Sequence, residues 1–272
     1  MNYICFYHYP CNDGETSKII WKKKYPKTIF FPWIHSNEAD NVKFLKTFKN
    51  EHIVFLDYCP KKEYLTSYNK YLIIDHHHNA INNMSETENI KMYCDTERSG
   101  CMLTWDYLYP GTPYPISVFH IGNADIFHFN NLETEPFSLC YKNYKLTDSE
   151  LLNLTKENLV YIKIIDDGLK QMSKNKIESI SYFYSSIIEY ECLNNKEYKI
   201  VSIFCDKYNL YKYLIELAKV QFKDSNILKI RKNKGDKICY SLRSLDGTPV
   251  DWIARKYGGN GHPLAAGYTI NS

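Results

Sequence analysis

The sequence predicts an α/β fold: a parallel-sheet N-terminal domain followed by a smaller α/β C-terminal domain. Three observations point there. Short apolar runs rich in β-branched and aromatic residues recur in the first third, segments of mixed polarity separate them, and a hairpin signal lies in the last third. Runs of four or five such residues that end sharply in polar residues are the pattern of strands buried on both faces. Mixed segments between them suit crossover helices, and hence βαβ units.

The runs are Tyr3-Ile4-Cys5-Phe6-Tyr7, Ile53-Val54-Phe55-Leu56 and Tyr71-Leu72-Ile73-Ile74. Gly100 to Tyr109 reads as a helix stopped by Pro110-Gly111. Thr147-Asp148-Ser149-Glu150 is a capping-box pattern, and the helical periodicity after it continues to about Met172, bridging two domains. Tyr198 to Phe204 reads as a strand and Tyr211 to Phe222 as a helix. Ile227-Leu228-Lys229-Ile230 and Ile238 to Leu242 flank the turn sequence Asn233-Lys234-Gly235-Asp236. Pro249 to Lys256 reads as a last helix. The domain boundary falls near residues 175–195, dividing the chain into 1–180 and 181–272.

Composition sets bounds. A chain of 272 residues buries one large core or two modest ones. The net charge of +3 neither selects nor excludes a nucleic-acid partner, because a basic patch can hide in a balanced total. The 25 Tyr could offer stacking platforms or simply reflect AT-rich coding. Nine Cys stand singly with no Cys-x-x-Cys pair, which argues against a disulfide framework and a structural zinc site. No signal-peptide pattern and no membrane-length apolar run is evident, so the expectation is a soluble cytoplasmic protein in a reducing compartment. A homo-oligomer is possible but not indicated.

Acids and imidazoles sit where the apolar runs end. His8 and Asp13 follow the first, Asp57 the second, and Asp75-His76-His77-His78 the third; Asp125 closes a fourth segment, His120 to Asp125. Ligands of parallel sheets bind beyond the carboxyl ends of the strands. Each piece alone has a plainer reading: an Asp after a strand is commonly a helix N-cap, and a histidine triplet can be a solvated loop. Together they concentrate negative charge, for which divalent cations are the obvious partner. Mixed carboxylate and imidazole donors suit manganese or similar first-row ions. Two such ions can clamp a phosphoryl group and lower the pKa of a bridging water, which then attacks phosphorus.

Ile73-Ile74-Asp75-His76-His77 resembles the signature of the DHH phosphoesterases. His8-Tyr9-Pro10-Cys11-Asn12-Asp13-Gly14 resembles their first motif, Phe55-Leu56-Asp57 their second, and Ser99-Gly100 a small-residue pair that follows the histidines. Gly258-Gly259-Asn260-Gly261-His262 with Ala265-Ala266-Gly267 resembles the glycine-rich motif of the associated DHHA1 domain.

The resemblance implies two divalent cations, Mn2+ first, with Mg2+ or Co2+ as alternatives. It implies His8, Asp13, Asp57, His76 and Asp125 as metal ligands, with Asp57 shared between the ions. It implies His77 as a phosphate contact and Asp75 as support for the histidines; His78 acquires no role. Ser99 would stand with the substrate. The motif departs from the family at Cys11, where many members carry an aspartate; Cys11 is either a soft ligand or a bystander. At the C-terminus, Gly258, Gly259 and Gly261 form either a tight turn or a cradle of amides for a phosphate. In the second case His262, Arg243 and Arg255 would assist.

The function expected is hydrolysis of short single-stranded oligonucleotides or dinucleotides. The alternatives are a phosphomonoesterase acting on a nucleotide bisphosphate or polyphosphate, and a nucleic-acid-binding protein that has lost turnover.

Overall fold

A computed structural model of the chain describes residues 3–193 and 195–271. The chain divides into two compact units, residues 1–169 and 170–272.

The first unit is built on a five-stranded sheet: β1 (Ile4–His8), β2 (Ile29–Trp33), β3 (His52–Leu56), β4 (Lys70–Asp75) and β5 (Ile90–Cys94). The strand order is β2-β1-β3-β4-β5 and every pairing is parallel. The helices are α1 (Asn12–Lys24), α2 (Glu38–Leu45), α3 (His78–Ile81), α4 (Gly100–Leu108), α5 (Ile116–Asp125), α6 (Thr134–Cys140), α7 (Asp148–Leu152) and α8 (Leu159–Tyr182).

The apolar runs are buried on both faces. Cys5, Tyr7, Val54, Leu56 and Ile74 join one core with residues of α1, α4 and α5. Ile4, Phe6, Ile53, Phe55 and Ile73 join another with Trp33 and Leu45. Two cores with strand residues alternating between them explain the unbroken apolar runs.

The order 2-1-3-4-5 reverses direction between β1 and β3. That is the topological switch point, where the loops leaving the carboxyl ends diverge and leave a crevice. His8 ends β1 and Asp57 follows β3, so the topology delivers both to this crevice.

The helix expected from Thr147 to about Met172 is two helices. The capping box at Thr147 and Glu150 is present, but α7 ends after Leu152. Asn158 then accepts a hydrogen bond from the Val160 amide at 2.8 Å and begins α8 afresh. The division between the units falls inside α8, upstream of the region 175–195.

The second unit carries a six-stranded sheet of β6 (Ile187–Leu193), β7 (Lys196–Phe204), β8 (Ile227–Lys234), β9 (Lys237–Ser244), β10 (Asn260–His262) and β11 (Ala265–Asn271), in the order β10-β11-β9-β8-β7-β6. β7 and β8 are parallel, and the other pairs are antiparallel. The expected hairpin closes on Gly235 and Asp236, with Lys234 paired to Lys237 and Gly235 at φ +59°. Helix α9 (Tyr211–Gln221) packs on one face with Val201, Ile203, Leu228 and Ile230. Helix α10 (Asp251–Lys256) packs on the other with Ile200, Ile227, Leu242 and Ala266. No described helix is long and apolar enough to cross a membrane.

Candidate metal centre

Four segments converge at the carboxyl edge of the first sheet. His8 is the last residue of β1, Cys11 is the N-cap of α1, and Asp13 lies in the first turn of that helix. Asp57 follows β3, Asp75 ends β4, and His76 and His77 come next. Asp125 is delivered by the end of α5 rather than by a strand.

The side chains meet closely. His8 Nδ1 lies 3.1 Å from Asp57 Oδ2. His76 Nε2 lies 3.2 Å from Asp57 Oδ1, 3.3 Å from Asp125 Oδ2 and 3.9 Å from Asp13 Oδ2. Among the described residues, three sets have donor atoms within 4.8 Å of one another: His8, Cys11 and Asp57; Asp13, His76 and Asp125; and Asp57, His76 and His77. Asp57 and His76 each belong to two sets.

The backbone is shaped to hold this geometry. Asp57 adopts φ +56°, a left-handed conformation that Asp tolerates better than most residues. Its amide donates to the Ile74 carbonyl at 2.9 Å, which fixes the turn after β3. Asp13 is fully buried, and its two carboxylate oxygens accept from the amides of Gly100 and Cys101 at 2.5 and 2.9 Å. These are free amides at the start of α4, where a carboxylate is favoured.

The electrostatics are those of a set short of positive charge. Burial raises the Asp13 carboxyl well above the usual range, and the charges of Asp57 and Asp125 add to it. Burial and Asp57 likewise raise Asp125. Burial opposes ionisation of Asp57 too, but its contacts with His76 and His8 prevail and hold it below the usual range. Burial, then the Asp57 charge, pushes the Cys11 thiol up.

Two atoms test the fit of a cation. Asp57 Oδ1 and His76 Nε2 are both buried and face each other at 3.2 Å, yet among the described residues neither makes a well-formed hydrogen bond. A buried carboxylate oxygen without a well-formed hydrogen bond is costly unless a cation satisfies it. Divalent cations of the first row accept this mixture of carboxylate and imidazole donors.

His77 differs from His76. Its side chain is half exposed and its Nδ1 is 2.8 Å from Asp75 Oδ1. The Asp75 contact raises its pKa to about 9, so the ring carries a proton at neutral pH. Asp75 is fully buried and also accepts from the His76 amide at 2.8 Å. His78 is exposed and bonds to Asn82.

No family model matches the chain. It is 29% identical to an uncharacterized protein of Acanthamoeba polyphaga mimivirus, over 98% of this chain and 67% of that one. Among solved structures it superposes on the DHH domain of a protein assigned to a family of ribosomal proteins. The TM-score is 0.61 and the identity 13%, over 98% of this chain and 82% of that one. It also superposes on PggH, a pGpG-specific phosphodiesterase from Vibrio cholerae, with a TM-score of 0.57 and 12% identity, over 100% and 94% of the two chains. The chain has the DHH fold.

Within the DHH fold, the residues expected at the metals gather in one cluster. Ser99, expected beside the substrate, is engaged in a helix cap. It is fully buried, and its hydroxyl caps α4 by accepting from the Met102 amide at 3.4 Å. The neighbouring Gly100 has the larger role, because a Cβ there would lie 2.8 Å from Asp57 Oδ1 and 2.9 Å from Asp13 Oδ2. Another residue, His35, was not singled out by sequence. Its ring centroid is 5.1 Å from that of His8. It follows β2, which the sequence reading did not recognise as a strand.

The glycine-rich segment of the second unit corrects one expectation. The Gly258 amide donates to the Arg255 carbonyl at 3.0 Å and the Gly259 amide to the Ala254 carbonyl at 2.8 Å. With Gly258 at φ +75°, this is a Schellman motif ending α10. Both amides are committed to the helix end and do not cradle a phosphate. Gly261 allows close approach to β11, where a Cβ would meet Ala266 Cα at 2.4 Å. Register places His262 and Arg243 on one face, either side of Ala265. Arg255 is carried by α10, which packs on the opposite face, and it pairs with Asp251 at 2.6 Å. Arg243 and Arg255 therefore do not converge.

Proposed function

We propose that the chain is a divalent-metal-dependent phosphodiesterase that hydrolyses short oligonucleotides or dinucleotides. The observation that carries this reading is the pair Asp57 Oδ1 and His76 Nε2, buried and 3.2 Å apart without a well-formed hydrogen bond, inside a cluster of carboxylates and imidazoles. Such a constellation suits ion binding and is a poor structural core, since like charges in low dielectric repel. The DHH fold, shared with a pGpG-specific phosphodiesterase, supports the reaction class.

His8, Asp13, Asp57, His76 and Asp125 would hold two cations, with Mn2+ the first choice, and Asp57 shared between them. When bound, the pair supplies a nucleophile at neutral pH and neutralises phosphate charge. Asp13 is fixed by the amides of Gly100 and Cys101, so its ligand oxygen is positioned before binding. His77 presents its free Nε2 to a phosphate oxygen, while Asp75 holds the other ring nitrogen and keeps the ring protonated. A protonated imidazole aimed at a phosphate stabilises the charge that grows during attack.

Purified protein with Mn2+ is expected to cleave a dinucleotide such as pApA, and Asp57→Ala to abolish cleavage. The assay sets dinucleotides, five-mers, pAp and polyphosphate side by side. Preference for pAp or polyphosphate would replace the diesterase reading with a monoesterase. Absence of metal-dependent turnover on the whole panel would reject an enzyme.

A further inference from the structure

We propose that Cys11 is a metal ligand, and that the two ion sites are chemically unequal. This rests on the metal-dependent reading and sharpens it. His8, Cys11 and Asp57 offer one nitrogen, one sulfur and one oxygen, with donor atoms within 4.8 Å of one another. Asp13, His76 and Asp125 offer one nitrogen and two oxygens at the same spacing. Asp57 also reaches His76 at 3.2 Å and can serve both ions, but only the first set holds a sulfur donor.

Cys11 does not stand alone. The Asp57 carboxylate beside it is 1% exposed, and its Oδ1 makes no well-formed hydrogen bond among the described residues, while Oδ2 faces His8 Nδ1 at 3.1 Å. Cys11 is the N-cap of α1, a helix of 13 residues, which sets its sulfur at the positive end of that helix beside His8 and Asp57. The ring of His8 and the carboxylate of Asp57 are held by different strands, so the set does not depend on one loop.

Thiolate selects softer ions, and carboxylate pairs select harder ones. The Cys11 site therefore takes a thiophilic ion such as Zn2+ or Co2+, and the Asp13 site takes Mn2+ or Mg2+. Binding at Cys11 converts the thiol to a thiolate, forms the sulfur–metal bond and releases one proton to solvent.

The experiment is a Co2+ titration of the full chain, read by absorbance. Wild-type protein is expected to show a thiolate-to-cobalt charge-transfer band that saturates at one equivalent. Cys11→Ser is expected to lose that band and to bind Zn2+ at least tenfold more weakly by calorimetry, with one proton fewer released. Cys11→Asp keeps a ligand of the other character, so it is expected to bind two ions, without the band and with the preference moved toward Mn2+. Circular dichroism confirms that each variant is folded. An unchanged band in Cys11→Ser would assign the absorption to another cysteine and overturn the proposal. A wild-type protein that binds two ions with no sulfur band would overturn it as well. Either result leaves the phosphodiesterase reading standing, since that reading is tested by turnover of the ester panel.

Discussion

Gly100 makes room for the Asp57 carboxylate. A Cβ at position 100 would lie 2.7 Å from Asp57 Cβ and 2.8 Å from its Oδ1, and 2.9 Å from Asp13 Oδ2. These neighbours are short side chains on fixed backbone, so they cannot swing away. Gly100→Ala is expected to push both carboxylates off position and to cut metal-dependent hydrolysis by about a hundredfold or more, the usual consequence of misplacement near 1 Å. Calorimetry on the same variant should show weaker binding of at least one ion. Unchanged affinity and turnover would mean that Asp57 and Asp13 do not hold the ions.

His77 and His76 are adjacent in sequence but should separate in function. His77→Asn is expected to lower kcat by roughly 10²–10³ while two ions still bind, because it removes a donor to the phosphate. His76→Ala is expected to lose an ion. If His77→Asn also lowers metal stoichiometry, His77 is a ligand in the set it forms with Asp57 and His76.

The parts legible in the sequence were those with one dominant physical cause. Phe6, Phe55 and Ile73 lie in strands buried on both faces, which leaves unbroken apolar runs. His8, Asp57 and Asp75-His76-His77 could be placed because each stands at the end of such a run, whereas Asp125 ends a helix. The strands β2 and β5 went unseen because they are the edges of the sheet. β2 is partly exposed and contains Pro32, which an edge tolerates, and β5 carries Lys91. Missing β2 also hid His35. The break between Leu152 and Leu159 was invisible because periodicity carries across it, while the Asn158 cap is a local signal. The roles of Gly258 and Gly259 turned on which carbonyls their amides meet, and no spacing rule states that.

Asp125 links metal binding to stability. Its carboxyl is raised by burial and by the Asp57 charge, so the folded chain holds that proton more tightly than the unfolded chain. Stability from this group is present below the unfolded pKa and is lost as pH rises through the folded value. Ionising Asp125 in the metal-free fold is therefore unfavourable. Asp125→Asn is expected to raise the Tm of the metal-free protein by a few degrees and to shrink the rise that added Mn2+ produces. For the wild type at a hundred times the dissociation constant, that rise corresponds to about 2.7 kcal/mol. Thermal melts with chelator and with Mn2+ read both effects. A lower metal-free Tm in Asp125→Asn would contradict the repulsion.

His120 should set the acid limit of the first unit. It is 1% exposed, with Nδ1 3.0 Å from Thr134 Oγ1 and Nε2 2.8 Å from Tyr161 Oη. Burial lowers its pKa to about 4, so the folded chain keeps the ring neutral. The unfolded chain protonates it near pH 6.5. Between those values the unfolded state binds more protons, and stability falls as the pH falls. The stabilisation is complete above pH 6.5 and is lost toward pH 4, at up to about 1.4 kcal/mol per pH unit. His120→Gln keeps a donor and an acceptor but does not titrate. It is expected to be less stable than wild type at pH 7, with the gap closing as the pH drops to 4.5. Urea unfolding of metal-free protein across that range measures the gap, and carboxylates that titrate in both proteins cancel in the difference. A gap that stays constant with pH would show that His120 is not the group responsible.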